Sequence, residues 1–188
     1  MNFKKLIIIT SFLFFLSCAS KLPKIYEGTI KKEEKRIEKV AILPFKNQSQ
    51  YPMGGVILYK IFMAELIRFR RCQVELESEV RKIFIQQRVY PTSTLSKDFY
   101  IVLADRLSID AIITGDILKM REGENPELSF WIKVIDPKTG NFLWCTFHKR
   151  DGEYYRKLLH FGKIRTISAL AKKMCEEIIK KWEKEHLL

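Results

Sequence analysis

The strongest constraint on the fold of this chain is a pair of apolar segments joined by a turn sequence at 136–140. Apolar residues occupy every second position of the first segment, which places them on one face of a strand. These residues are Leu128, Phe130, Ile132 and Val134. Asp136 opens the turn, Pro137 presets a backbone dihedral angle, and Gly140 suits the left-handed position. With a second strand over 141–147, the sequence predicts an antiparallel β-hairpin.

Further strands and helices are predicted before and after this hairpin. Short apolar runs indicate buried strands, and apolar residues at helical spacing indicate helices. The predicted strands cover 40–45, 72–76 and 110–118, and the predicted helices cover 56–69, a segment capped by Ser78-Glu79, 96–107 and 166–185. This mixture predicts one layered α/β or α+β domain over 38–188, with a mixed sheet, a β-hairpin towards its C-terminus and flanking helices.

The predicted helix over 56–69 is unusually apolar. Only Lys60, Glu65 and Arg68 interrupt its apolar character. A surface helix normally carries polar residues on its outer face. The sequence therefore predicts that this helix buries more than one face, either because it is central in the monomer or because it meets a neighbouring subunit.

The first 17 residues have the composition of an export signal. Two lysines precede an apolar run of 11 residues, from 6 to 16, which is shorter than the roughly 20 residues that cross a bilayer as a helix. Ser17 and Cys18 then resemble the cleavage site of bacterial lipoprotein signals, in which the cysteine becomes lipidated. The small residues Ser17 and Ala19 also fit ordinary cleavage after Ala19. The expected organisation is a signal peptide at 1–17, a lipidated Cys18 with a tether over 18–37, and the domain over 38–188.

The chain is strongly basic, with a formal net charge of +12, of which +10 remains once Lys4 and Lys5 leave with the signal. In a cytoplasmic protein this balance would raise nucleic acid as a partner. Export leaves phosphorylated lipids, acidic cell-wall polymers and acidic polysaccharides, which attract a basic surface without specificity. A solvated basic surface that keeps the protein soluble explains the charge equally well. No nucleic-acid partner is expected.

No pattern in the sequence indicates an enzyme, a cofactor or a metal site. The dinucleotide- and phosphate-binding glycine motifs are absent. The histidines have no second histidine or cysteine at metal-ligand spacing, and a surface position at a strand end explains His148. With Cys18 lipidated, the remaining cysteines are interpreted as core thiols, with one disulfide as the alternative. These are Cys72, Cys145 and Cys175.

One loop is a candidate for contact with a ligand or a partner protein. It comprises Asn47, Gln48, Ser49 and Gln50. The loop follows the carboxyl end of the first predicted strand and precedes a helix, which is where open α/β sheets bind ligands and anions. An ordinary solvated connection is the alternative.

Three segments resemble one family of bacterial lipoproteins. They are VAILPFKNQS at 40–49, ADRL at 104–107 with IDAIITG at 109–115, and VIDPKTGNFLW at 134–144. In this order they are similar to motifs of the family that contains the curli-secretion lipoprotein CsgG, the penicillin-binding-protein activator LpoB and the polysaccharide-export lipoprotein PelC. The resemblance implies a small periplasmic α/β domain similar to the anticodon-binding fold, with no reaction of its own.

The resemblance and the signal together imply a membrane-anchored, non-enzymatic accessory or assembly subunit of a cell-envelope machine. The machines in question serve secretion, polysaccharide export or cell-wall synthesis. The chain is expected to form a homo-oligomer, with a ring as one form, as in some relatives. By the general sorting rule for such lipoproteins, Ala19 rather than Asp implies a lipid anchor in the outer membrane, at its periplasmic face. The expected partners are that membrane and other envelope proteins. The alternative is a soluble periplasmic binding module or enzyme released by cleavage after Ala19.

Overall fold

The computed structural model describes residues 37–91, 93–157, 161–185 and 187, so that the predicted signal, Cys18 and most of the tether lie outside it. Six strands and four helices lie in this part of the chain. The strands are β1 (Lys39–Ile42), β2 (Lys46–Asn47), β3 (Gln73–Val74), β4 (Ala111–Arg121), β5 (Glu127–Ile135) and β6 (Phe142–Asp151). The helices are α1 (Gly54–Phe69), α2 (Glu77–Gln86), α3 (Lys97–Leu107) and α4 (Ile167–Lys184).

The strands form one mixed sheet in the order β3-β1-β4-β5-β6. β1 pairs in parallel with β3 and β4, whereas β5 pairs antiparallel with both β4 and β6. β2 continues the line of β1 along β4 after an interruption around Pro44, whose ring removes a backbone donor. Asn47, which was expected in a loop, therefore ends a strand. The predicted α+β class, with a mixed sheet and a β-hairpin, is confirmed.

One face of the sheet is covered by α1 and α4, and this layer holds the larger of two hydrophobic cores. Alternate residues of β5, from Leu128 to Val134, point into it as the sequence predicted. Trp182 of α4 lies edge-on to Phe62 of α1 and to Trp144 of β6, with ring centroids 5.7 Å and 5.3 Å apart. Burial of a large apolar side chain contributes about 1.5–3 kcal/mol, so these rings hold the two helices to the sheet.

The opposite face of the sheet is also covered by helices, in the part of the sheet near β1. There α2 and α3 enclose a second core with Ala41 of β1, Leu43 just after β1, and Ile112 of β4. The two helices meet through Phe84 and Phe99, whose ring centroids lie 4.7 Å apart.

Trp131 and Phe147 lie on this same face, on the neighbouring strands β5 and β6, and belong to neither core of the described residues. Both are half-buried, and their rings lie 5.2 Å apart. Lys133 and Cys145 form the next cross-strand pair, also half-buried. We name the surface of Trp131, Lys133, Cys145 and Phe147 the open face.

The hairpin turn has the predicted chemistry. Gly140 has φ +77°, and its backbone N–H donates to the carbonyl of Asp136 at 2.8 Å. The Asp136 carboxylate accepts from the backbone N–H of Lys138 at 3.0 Å and from the hydroxyl of Thr139 at 2.8 Å. Aspartate and glycine therefore fix the turn from its two ends.

Helices α3 and α4 begin where the sequence predicted, whereas the start of α2 differs from the prediction. The hydroxyls of Ser96 and Thr166 accept from the backbone N–H three residues on, at 3.2 Å and 3.3 Å, and cap α3 and α4. The prediction that Ser78 caps α2 is wrong, because the cap position is Leu76, which has no side-chain bond to offer. The acidic side chains of Glu77 and Glu79 stand in the first turn instead, where negative charge is favourable.

α1 buries one face in the described part of the chain, against the sheet and α4. The buried face includes Glu65, whose carboxylate accepts from Arg68 at 2.7 Å. Arg68 also reaches Glu176 of α4 at 2.9 Å, which joins the two helices. Of the two alternatives that the sequence left open for this helix, a central position within the monomer is therefore wrong.

Candidate functional site

The predicted contact loop is held together by its own side chains. Asn47 Oδ1 accepts from the backbone N–H of Ser49 at 3.1 Å and from its hydroxyl at 2.6 Å. Asn47 Nδ2 donates to the carbonyl of Tyr51 at 2.9 Å. Asn47 and Ser49 thus shape the loop, and Gln48 and Gln50 are exposed. The structure brings the four predicted residues together, with the two glutamines facing solvent.

The start of α1 lies tightly against the link between β1 and β2. A Cβ atom at Gly55 would lie 2.6 Å from the carbonyl oxygen of Phe45, which is closer than side chains allow. Met53, just before the helix, has φ +59° and offers no side-chain cap. Gly55 therefore allows α1 to approach the strand, and this approach positions both the loop and the surface beside it.

A cavity of about 310 Å³ lies beside the start of α1, at the lower end of the range for small-ligand sites. Its lining is largely apolar, with Lys60 and Glu77 paired at one side. Burial, followed by the nearby charge of Glu77, raises the pKa of Tyr59 far above its ordinary value, so its phenol stays neutral. No motif marked this cavity in the sequence. It is lined by Pro44, Phe45, Gly55, Val56, Tyr59, Lys60, Glu77, Val80, Arg81, Phe84 and Pro91.

The outer face of α1 carries exposed apolar residues on both sides of Lys60. Met53, Val56 and Ile67 are 64%, 47% and 52% exposed, and Ala64 is exposed between them. Together with Lys60 these residues follow one another at intervals of three and four, which places them on one line along the helix. We name this surface the α1 stripe, and the 14 residue steps from Met53 to Ile67 correspond to about 21 Å.

The neighbouring helix α4 has an ordinary outer face, although it packs on the same side of the sheet. Its exposed residues include Lys172, Lys173, Lys180 and Lys184. Surface helices usually place charged residues outwards, as α4 does. The apolar outer face of α1 is therefore particular to that helix, and contiguous exposed apolar surface is typical of sites that contact other molecules.

Ion pairs frame the aromatic pair of the open face. On one side, Lys133 lies 2.6 Å from Asp116 of β4. On the other side, Glu127 lies 2.7 Å from Lys119 and 3.8 Å from Lys149. The hydrogen bond from Lys119 holds the pKa of Glu127 below its usual value. The Glu127 carboxylate therefore stays ionised at neutral pH, and the surface between the two sets of ion pairs is aromatic.

His148 is buried beneath α4, so the prediction of a surface position is wrong. It is 3% exposed, and neither ring nitrogen has a hydrogen-bond partner in the described part of the chain. Burial, and then the charge of Arg150, lowers its pKa to about 4. The prediction failed because the second hairpin strand was expected to end at 147, whereas β6 continues to Asp151 and its alternation places Thr146, His148 and Arg150 on the covered face of the sheet.

No catalytic or metal-binding constellation is found among the described residues. Within them, no group of three or more histidine, cysteine, aspartate or glutamate side chains could hold a metal ion. Cys72, Cys145 and Cys175 are free thiols, and only Cys175 is fully buried. Of the described helices, none has both the length and the apolar character needed to cross a membrane. Cys18, the predicted lipidation site, lies outside the described residues.

No protein-family model and no curated protein sequence matches the chain. Solved structures do match its fold. The chain is similar to the PelC dodecamer from Paraburkholderia phytofirmans, with a TM-score of 0.57 and 14% identity over 84% of this chain and 96% of that one. It is also similar to the lipoprotein GNA1162 from Neisseria meningitidis, with a TM-score of 0.52 and 13% identity over 78% of this chain and 99% of that one.

A third similar structure is the hypothetical protein CT253 from Chlamydia trachomatis, with a TM-score of 0.51 and 11% identity over 80% of this chain and 97% of that one. At these identities the likeness establishes the fold alone. The chain is thus a mixed α+β domain of the kind found in PelC and in GNA1162.

Proposed function

We propose that this chain is a non-enzymatic accessory lipoprotein of the bacterial cell envelope that works by contacting other envelope proteins. One combination supports the proposal: a fold similar to that of the lipoprotein GNA1162 follows a predicted export signal over 1–17 and the predicted lipidation site Cys18. Because one fold can host many functions, the fold alone would be a weak argument. Cys18, as a predicted lipidation site, adds an independent chemical argument. Acyl chains on Cys18 then hold the domain at the periplasmic face of the outer membrane.

The lipid anchor is tested by metabolic labelling of cells with a tagged fatty acid. Each buried methylene group contributes about 0.8 kcal/mol, so more than one acyl chain attaches a protein stably. We expect label on the wild-type chain, and loss of both label and membrane association in Cys18→Ala. Cys72→Ala is the matched control and should keep both. A wild-type chain without label would overturn the anchor.

The destination membrane is tested by Ala19→Asp. Under the proposal the wild-type chain sediments with outer-membrane vesicles, because Ala19 follows the lipidated cysteine. The aspartate variant should remain labelled but move to the inner-membrane fraction. Ala19→Ser is the control that should not move. An unchanged distribution of Ala19→Asp would contradict sorting by this residue.

Self-association is part of the proposal. Its support is the dodecameric state of PelC, a protein of similar fold, together with the apolar α1 stripe. The machine served is one of secretion, polysaccharide export or cell-wall synthesis. Light scattering of the detergent-solubilised chain is expected to give a mass of several copies. A strictly monomeric chain at high concentration would contradict self-association, whatever the outcome of the labelling experiment.

The exposed glutamines of the predicted loop are proposed to contact a partner protein. Because the side chains of Asn47 and Ser49 bond within the loop, Gln48 and Gln50 are free to reach outwards. A photoreactive residue at position 50 should crosslink to an envelope protein in cells. The same residue at position 86, an exposed position on α2, is the control. Equal crosslinking from both positions would argue against a specific contact.

The alternative is a soluble periplasmic binding module or enzyme. Two observations favour it: the cavity beside α1, and the small residues Ser17 and Ala19, which fit ordinary cleavage. Mass spectrometry of the mature N-terminus separates the two proposals. A chain that begins at Cys18 with added acyl mass supports the lipoprotein, and an unmodified chain that begins at Ser20 supports the alternative.

A further inference from the structure

We propose that copies of this chain assemble head to tail, with the α1 stripe of one copy packed on the open face of the next. This inference rests on the self-association proposed above and names the surfaces that produce it. The two surfaces lie on opposite faces of one sheet, because α1 covers the face opposite to the one that carries Trp131 and Phe147. A contact between two different surfaces of the same protein generates rings or filaments.

The composition of each surface indicates a partner surface rather than solvent. The α1 stripe exposes Met53, Val56 and Ile67, whereas the adjacent helix α4 exposes lysines. The open face carries two aromatic rings that lie outside both cores of the described residues. Covering these side chains removes apolar area from water, which favours association. Each surface would cover the apolar side chains that the other exposes.

Electrostatics favours this pairing over a symmetric one. Lys60 lies in the middle of the α1 stripe and pairs with Glu77 of α2. Two stripes packed about a two-fold axis would therefore bring two Lys60–Glu77 ion pairs together and remove both from water, which is costly. A head-to-tail contact would cover only one such pair, opposite the rings of Trp131 and Phe147, whose faces attract cations. The occupant of each surface is therefore a second copy in a head-to-tail arrangement.

The test uses the lipidated full-length chain in detergent and two variants. The double variant Val56→Asp/Ile67→Asp disrupts the α1 stripe, and Phe147→Asp disrupts the open face. Ile85→Asp, at an exposed apolar position of α2 that belongs to neither surface, is the control. We expect the wild type and the control to assemble, and each of the two variants to be monomeric by light scattering.

Mixing the two variants gives the decisive result. Each variant keeps the surface that the other has lost, so a one-to-one mixture should form a dimer and go no further. A symmetric contact through either surface would give no dimer on mixing. The appearance of the dimer also proves that both variants are folded. Assembly of either variant alone, or a mixture that stays monomeric, overturns the inference.

Thiol labelling provides a second measurement. Cys145 belongs to the open face, so it should be shielded in the wild-type assembly and react at least tenfold faster in the Val56→Asp/Ile67→Asp variant. Cys72 lies outside both surfaces and should react equally in the two proteins. Equal reactivity of Cys145 contradicts the inference. A wild-type chain that is itself monomeric refutes self-association as a whole, whereas a wild-type assembly with unshielded Cys145 refutes only these surfaces.

Discussion

Gly55 lies directly against Phe45, so that a Cβ atom at position 55 would stand 2.6 Å from the Phe45 carbonyl oxygen. Gly54 is less restricted, because the atoms nearest to its Cβ position belong to the side chains of Met120 and Asn47, at 3.1 Å and 3.2 Å. Backbone atoms move only with their strand, whereas side-chain ends can rotate away. The two adjacent glycines therefore differ in what a methyl group would displace.

We predict that Gly55→Ala lowers the free energy of unfolding by about 1–3 kcal/mol, the usual cost of overpacking. Gly54→Ala should cost clearly less, because its clash is relieved by side-chain rotation. Urea denaturation of the two purified variants measures the difference. Equal stability of the two variants would show that α1 can shift away from β1.

His148 should make the protein sensitive to acid. Its pKa is about 4 in the folded chain and near 6.5 when exposed, so the unfolded state binds a proton first as the pH falls. Stability is therefore full above pH 6.5 and decreases towards pH 4, by up to about 3 kcal/mol. His148→Phe should remove much of this decrease, and Thr146→Val, which alters a neighbouring buried polar group without titration, should keep it. Denaturation at a series of pH values checks both expectations.

Arg68 in the last turn of α1 and Arg71, just beyond that helix, both pair with glutamates of α4, and the two ion pairs should differ in their contribution to stability. Arg68 bonds Glu65, which is buried, and also meets Glu176. Removing Arg68 leaves a buried carboxylate without its main partner, so Arg68→Met should cost about 1–3 kcal/mol. Arg71 pairs with Glu183 at the surface, and Arg71→Met should cost below about 1 kcal/mol. Thermal denaturation of both variants tests this order, and a larger loss in Arg71→Met would reverse it.

The effect of a substitution at Gly140 should depend on the backbone conformation at that position and not on the size of the new side chain. Its φ is +77°, and a Cβ atom there would lie at an ordinary distance of 3.5 Å from Lys97. Gly140→Ala should therefore cost about 1–2 kcal/mol, from the left-handed backbone alone. Gly140→Asn should cost less, because asparagine tolerates that conformation. Urea denaturation of the two variants separates backbone strain from crowding. If crowding were the cause, Gly140→Asn, with its larger side chain, would be less stable than Gly140→Ala.

The elements that sequence reasoning predicted correctly are those with local causes. The hairpin rests on alternation in β5 and on Asp136 and Gly140, which lie close together in the chain. The capping hydroxyls of Ser96 and Thr166 are local as well. Each of these signals is complete within a few residues, so the pattern alone is sufficient.

The features that were missed depend on contacts between distant residues. Lys46 and Asn47 form β2 because β4 offers them a free edge, which a polar segment does not reveal. His148 is buried because α4, about 20 residues further on, covers its strand. The α1 stripe was anticipated only as one of two alternatives, since an apolar helix can be central or can contact a neighbour. The open face was invisible, because Trp131 looked like an ordinary outward residue of a strand.

The way the chain enters the fold has a mechanical consequence for a protein held by its N-terminus. The backbone N–H groups of Glu38 and Lys39 both donate to Asp110, at 3.1 Å and 3.0 Å, immediately before β1 joins β3 and β4. A pull on the anchor would therefore run along β1 and load the hydrogen bonds of two ladders together, in shear rather than one at a time. If the proposed anchor holds the chain, attachment through β1, which has a neighbouring strand on each side, would let the domain bear tension without unravelling from the end.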